Sequence, residues 1–143
     1  MTDPKEELKP LKGQLGQLNI MNTLVDLVMA GSDTTGCALQ WAFTYMILNP
    51  EIQRKVQLDI EQGTDAYIDA VIHEIHRKSK VVASSVFHAA TEDIYYKEYV
   101  IPKGSYIIPL LGNVMNNPAD FPHPEKFDPE RYLSYQNGQL KFT

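Results

Sequence analysis

The residues best suited to chemistry are Asp33, Thr34 and Thr35, a carboxylate and two hydroxyls in the middle of Leu24 to Asn49, a stretch that is apolar on almost every face. A helix hydrophobic all round is ordinarily buried, and polar groups inside it must be hydrogen-bonded, hydrated or used. Gly31, just before them, removes a side chain, and Ala30 nearly does, so a flat or bulky object can approach the backbone there. Thr34 can return its hydroxyl to the carbonyl one turn back and open the helix locally, while Asp33 supplies a proton acceptor in an otherwise dry setting. An acid and an alcohol beside an opened helix make a proton relay. The plain alternative is a kinked helix whose polar pair faces solvent, and these residues by themselves leave both readings open.

A second group carries charge. Glu74 and Arg77 stand three apart at helical spacing, close enough to pair on one face. By helical wheel they lie away from the apolar stripe of Ile68, Val71, Ile72 and Ile75, so periodicity alone predicts an exposed pair of little energetic weight. Arg131, in Phe127-Asp128-Pro129-Glu130-Arg131-Tyr132, is the candidate third member, because a rigid proline-led turn can hold a second guanidinium against Glu74. His73 and His76 flank Glu74, but zinc peptidases set their histidines four apart around the acid, and no cluster of further ligands accompanies these two. His88 follows an apolar run and precedes Thr91-Glu92-Asp93, which reads most simply as a strand-end histidine.

The elements that must position these residues follow from periodicity and punctuation. Residues 1 to 17 read as a flexible polar lead, with Lys12 to Gly16 too glycine-rich for helix. A long central helix then runs from about Leu18 to Leu48, on the order of 45 Å at 1.5 Å per residue. Asn49-Pro50-Glu51 signals a new helix start, with asparagine as cap, and predicts a second helix over Pro50 to about Gln62, ended by Gly63. A third, amphipathic helix is predicted from Asp65 to about Lys78. Val81 to Phe87, Tyr95 to Ile101 and Ser105 to Leu110 are rich in β-branched and aromatic residues and read as strands, with Pro102-Lys103-Gly104 as a hairpin turn between the last two. From Asn116 to Pro129 recurring prolines preclude long regular structure and predict an ordered meander, and Asn137-Gly138 marks a final tight turn between Tyr135 and Leu140.

Composition narrows the function classes. At 143 residues, 43% hydrophobic and 10% aromatic, the chain belongs to the globular class. Thirteen Lys and Arg against eighteen Asp and Glu give a net charge of −5, with no basic stripe, which argues against nucleic acid as a partner. The single cysteine, Cys37, excludes an internal disulfide framework and multi-cysteine metal patterns, and it fits a reducing, intracellular compartment. The charged, proline-broken first ten residues read as neither a signal peptide nor a membrane anchor.

Together these pieces resemble the cytochrome P450 superfamily of haem-thiolate monooxygenases, nearest to its animal microsomal members. Ala30-Gly31-Ser32-Asp33-Thr34-Thr35 is similar to the family's oxygen-activation motif on its central helix. Glu74-Ile75-His76-Arg77 is similar to its Glu-x-x-Arg, and Phe127 to Tyr132 to its Phe-x-Pro-Glu-Arg-Phe, with Tyr132 in place of phenylalanine. The three occur in the family's order, Tyr99 to Gly104 resembles the hairpin before the meander, and the likeness covers about Leu18 to Leu133. It implies a mainly α fold with a small β region, a partial cytochrome P450 fold.

By that resemblance Asp33 and Thr34 would deliver protons during dioxygen activation, and Ala30 and Gly31 would lie over the haem face. His88 would meet a haem propionate, and Glu74, Arg77 and Arg131 would form a buried charge triad. Intact relatives use haem, dioxygen and electrons from a reductase to oxygenate small apolar substrates, and are anchored to the endoplasmic reticulum. Their iron is held by a cysteine in a glycine-rich loop after the meander. This sequence ends at Thr143 before such a loop, Cys37 lies on the oxygen-side helix, and Gln62-Gly63-Thr64 replaces a longer segment between the second and third helices. The expectation is therefore a truncated domain over 18–143 that does not turn over alone. The alternative of another class is a non-catalytic module that binds a partner chain, or a copy of itself, through the exposed apolar helix.

Overall fold

The computed structural model describes residues 13–136 and 139–142. The chain divides into two units, 1–37 and 38–143, with the division falling inside the first helix. That helix, α1, spans Gly13–Leu48 without a break. It therefore begins five residues before the predicted start, and only 1–12 of the predicted lead lie outside the described residues. Gln14, Leu15, Gln17 and Leu18 are good helix formers, and they carry the helix through Gly16 against a cost of about 1 kcal/mol. Residues 17–35 are exposed along their whole length.

The second unit is built around α2 (Pro50–Gln62) and α3 (Ala66–Ser79). Pro50 opens α2 at the first position, as predicted, but Asn49 does not cap it. Its side-chain amide turns back and donates to the Tyr45 carbonyl at 2.8 Å, so Asn49 finishes α1 rather than starting α2. Gly63 takes the left-handed conformation that ends α2, at φ 66°. The connection to α3 is short enough for the second helix to cap the third. Asp59 accepts from the backbone amides of Tyr67 at 3.1 Å and Ile68 at 3.2 Å, and its other carboxylate oxygen takes the Thr64 hydroxyl. Two orphan donors at the start of α3 are thereby satisfied from another element.

Beyond α3 the β content is shorter and differently paired than the composition predicts. Val81 to Phe87 forms no strand but turns and bends, whose backbone is used by neighbours: Ser85 donates to the Pro109 carbonyl and the Ala83 carbonyl accepts from Gly112. Tyr95 to Ile101 is itself a hairpin, β2 (Ile94–Tyr96) against β3 (Tyr99–Ile101), with Tyr96 opposite Tyr99. Lys97, at φ 53°, makes its turn without any of the usual turn residues. Pro102-Lys103-Gly104 does turn the chain, with Ser105 donating to the Pro102 carbonyl at 3.1 Å and Gly104 at φ 84°. It leads, however, to β4 (Tyr106–Ile107), which pairs with β1 (His88–Ala89) rather than with β3.

A single helical turn, α4 (Leu111–Val114), opens the meander, which ends in a 3-10 turn over Pro129–Tyr132. The antiparallel pair β5 (Leu133–Gln136) and β6 (Gln139–Phe142) follows, and the predicted turn at 137–138 lies between them, outside the described residues. The apolar core of this unit is Ile52, Tyr67, Val71 and Ile75, packed by Tyr45, Met46, Phe127, Leu133 and Leu140. The buried face of α3 is thus turned from the predicted stripe. Tyr67, Val71 and Ile75 face inward, and Ile72 is exposed.

Candidate functional site

Seven residues, close to two turns, separate Tyr67 from Glu74, so both lie on one side of α3. That places a carboxylate in the core rather than in water: Glu74 is 0% and Arg77 3% exposed. The exposed pair expected from periodicity is overturned, because the stripe that packs is the one containing Glu74. A buried carboxylate is tolerable only with its lone pairs filled, and here they are. Arg77 binds it through two parallel hydrogen bonds, Nε to Oε2 at 2.7 Å and Nη2 to Oε1 at 2.8 Å. The backbone amide of Asp128 donates to Oε1 at 2.8 Å, and Arg131 Nε stands 3.4 Å from each oxygen. Tyr132 adds a side-chain hydrogen bond to the same carboxylate.

Arg77 also reaches outward. Its Nη1 donates to the Met115 carbonyl at 2.8 Å, and Nη2 to those of Pro124 at 3.1 Å and Lys126 at 3.0 Å. Arg131 Nη1 takes the Pro122 carbonyl at 3.0 Å. A segment with prolines at 118, 122, 124 and 129 has few N–H groups and forms no ladder, so its carbonyls need donors from elsewhere. The two guanidiniums supply them. The planar arginine fork serves carboxylate and carbonyls at once, and the hydrogen bonds to Glu74 raise the Arg77 pKa above its already high value. Beside it Lys78 donates to the Glu125 carbonyl at 2.7 Å, with its pKa lowered by burial and then by the charge of Arg77.

This network joins the second and third sequence signatures through Glu74 and Arg131. Sequence reasoning missed the meander carbonyls, the Asp128 amide and Tyr132. The signal was present in the density of prolines, which predicts acceptors in search of donors. The cap supplied by Asp59 was likewise readable only once the shortness of 63–65 was turned into a distance.

In the first unit the Thr34 hydroxyl donates to the Ala30 carbonyl at 2.7 Å, the return bond expected of it. Asp33, Thr34, Ala30 and Gly31 are all exposed, and a Cβ added at Gly31 would meet nothing within 4 Å. The chain's own atoms therefore leave this face open to a flat ligand, flanked by one carboxylate and one hydroxyl. Cys37 is a free, half-buried thiol further along the same helix. His88 is exposed in β1, opposite Ile107. Among the described residues no group of three or more His, Cys, Asp or Glu could hold a metal ion, and no helix is long and apolar enough to cross a membrane.

The chain is similar to known proteins over most of its length. Cytochrome P450 2E1 of Bos taurus is 36% identical to this chain over 138 residues, covering 87% of the chain and 28% of that protein. Cytochrome P450 2C3 of Oryctolagus cuniculus is 40% identical over 136 residues, and cytochrome P450 2C8 of Homo sapiens is 34% identical over 150 residues, which cover 96% of the chain and 30% of the human protein. The chain spans less than a third of the length of these relatives. The family described as Cytochrome P450 matches residues 2–142, nearly every position, and the chain belongs to the cytochrome P450 family.

Proposed function

We propose that this chain forms the oxygen-side helix and the charge-locked core of a haem-dependent monooxygenase acting on small apolar substrates with electrons from a reductase, and that by itself it does not turn over. The observation that carries the reading is the buried Glu74 carboxylate, which ties Arg77, Arg131 and the Asp128 amide into one network. Such a network has no need of solvent and fixes the meander to α3, the kind of rigid support a cofactor pocket requires.

The donor set on α1 fits a haem. Ala30 and Gly31 would lie against its face, where open space and a missing Cβ admit a flat ring. His88 would pair with a propionate. When bound, a haem supplies redox-active iron for dioxygen chemistry. The role of Asp33 is to take a proton from solvent, for which its exposure suits it, and that of Thr34 is to hold a proton on its hydroxyl and pass it inward. The bond to Ala30 fixes the orientation of that hydroxyl. Asp33 and Thr34 precede Cys37 by four and three residues, and side chains at those spacings share one side of a helix. Cys37 therefore stands on the side of the proton relay, and it would not be the residue that holds the haem iron.

The test is to load the purified chain with haem, reduce it and expose it to carbon monoxide. No red-shifted Soret band of thiolate-ligated haem is expected, and Cys37→Ser should leave the spectrum unchanged. A thiolate-type band that disappears in Cys37→Ser would overturn the proposal.

A further inference from the structure

The β2–β3 hairpin takes no part in the Glu74 network, and among the described residues β2 pairs only with β3. Its two-residue loop, Lys97-Glu98, closes on Tyr96 opposite Tyr99, a pair that exchanges hydrogen bonds in hairpins of this length. Pairing alternates along the ladder, so Tyr95, opposite Val100, turns its backbone N–H and C=O away from β3. Two strands alone make a marginal sheet, and an open edge is a template for a further strand. The β3 edge is blunted by Pro102, which follows Ile101 directly and has no N–H to donate. β2 carries no proline, and Ile94, Tyr95 and Tyr96 are all exposed.

The charges beside this edge select its partner. Asp93 precedes β2 and Lys97 follows it, each two residues from Tyr95. A second copy laid antiparallel about a two-fold axis at Tyr95 sets Asp93 of each chain opposite Lys97 of the other, with Ile94 opposite Tyr96. One symmetry operation thus makes two opposite-charge pairs. An Asp93 oxygen accepts from the Lys103 amide at 2.7 Å, which holds the carboxylate at the strand end and leaves its second oxygen for the other copy. The Lys97 ammonium stands 5.5 Å from the centroid of the Tyr96 ring, beside the same strand. Glu92 lies in the bend before Asp93 and Glu98 in the turn after Lys97, each beyond the paired stretch. We propose that β2 is a dimer edge: two copies of this chain join their hairpins antiparallel at Tyr95 into a four-stranded sheet, through reciprocal Tyr95 backbone bonds and two Asp93–Lys97 pairs. Neither haem nor the exposed face of α1 is needed for it. In dilute chain the edges are unpaired.

The test uses the full chain in a Cys37→Ser background, with Tyr95→Cys placed at the proposed axis. Opposed residues of a hydrogen-bonded pair lie about 5.5 Å apart at Cα, a spacing that suits a disulfide. Under mild oxidation Tyr95→Cys should give linked dimers several-fold faster than Val100→Cys, an exposed site on β3. Adding Asp93→Lys or Lys97→Asp makes both pairs repulsive and should slow linkage about tenfold, since two exposed pairs are reversed together. An equimolar mixture of those two charge variants, carrying tags of different size, should regain the original rate as the mixed dimer, because each chain then meets the opposite charge. Asp93→Asn keeps an acceptor for the Lys103 amide, removes the charge, and should slow linkage about threefold. Equal linkage at positions 95 and 100 would overturn the proposal, as association through α1 alone would produce it. So would an unchanged rate in Asp93→Asn, or a mixture of the charge variants that links no faster than either by itself.

Discussion

At the scale of single residues the molecule turns on one carboxylate. Removing the charge of Glu74 strands two guanidiniums beside the core, a loss of about 3–5 kcal/mol when one partner of a buried pair is taken away. Urea denaturation of Glu74→Gln should show that loss. Glu130→Gln, which breaks only the exposed pair with Lys55, should cost about 1 kcal/mol or less. Equal effects would contradict the burial described here. A second prediction concerns pH. Burial, as the leading cause, raises the phenol pKa values of Tyr45, Tyr67 and Tyr132, with Glu74 contributing to Tyr132. The fold prefers the neutral phenols, so their contribution is fully present below the unfolded-chain value of about 10. It is lost as pH rises past that value and through the higher folded ones. Denaturation midpoints should therefore fall on the alkaline side, and less steeply in Tyr45→Phe. The partners of Glu74 were legible in the sequence only in part. Arg77 was readable by its helical spacing and Arg131 only as a candidate on a proline-led turn, whereas the Asp128 amide and the meander carbonyls are backbone groups that carry no signature of their own.

Elements form here for reasons that are partly local and partly borrowed. Pro50 and Gly63 punctuate α2 as the sequence predicts, because each acts through its own backbone. The start of α3 is borrowed from Asp59, and Asp59→Ala should cost about 1–2 kcal/mol, the range of a lost helix cap, in the same urea experiment. Lys80 ends α3 at φ 48°, a conformation that favours glycine, so Lys80→Gly should raise stability by up to about 1 kcal/mol. The strands were the least legible elements. Ile94 to Ile101 is one continuous apolar and aromatic run, interrupted only by Lys97-Glu98, and nothing in their types announces a turn. Val81 to Phe87 has the composition of a strand, but composition does not supply a partner edge, and its neighbours use its backbone otherwise.

At the scale of the whole molecule, residues 17–35 of α1 are exposed, and the second unit has a small, well-connected core. Leu18, Met21, Leu24, Val28 and Met29 are all largely exposed on α1. Exposed apolar patches of that kind drive association, so sedimentation of the chain should show concentration-dependent self-association. A monodisperse monomer across the accessible range would contradict this. Hydrogen exchange should be fast for amides 17–35, which have helical bonds but little burial, and slowest in α3. The mainly α class and the order of the helices were legible because long periodic segments speak for themselves. The burial of Glu74 was not, since which face of an amphipathic helix packs is decided by its neighbours.

The grip of Arg77 on the meander reaches one particular peptide bond. Trypsin cleaves after lysine by attacking the lysine carbonyl, and the carbonyl of Lys126 is held by Arg77 at 3.0 Å. In limited proteolysis this irregular, proline-rich segment should resist cutting at Lys126 while Lys97, at the tip of the exposed β2–β3 hairpin, is nicked early, so lack of regular structure will not mark the fragile part of the chain.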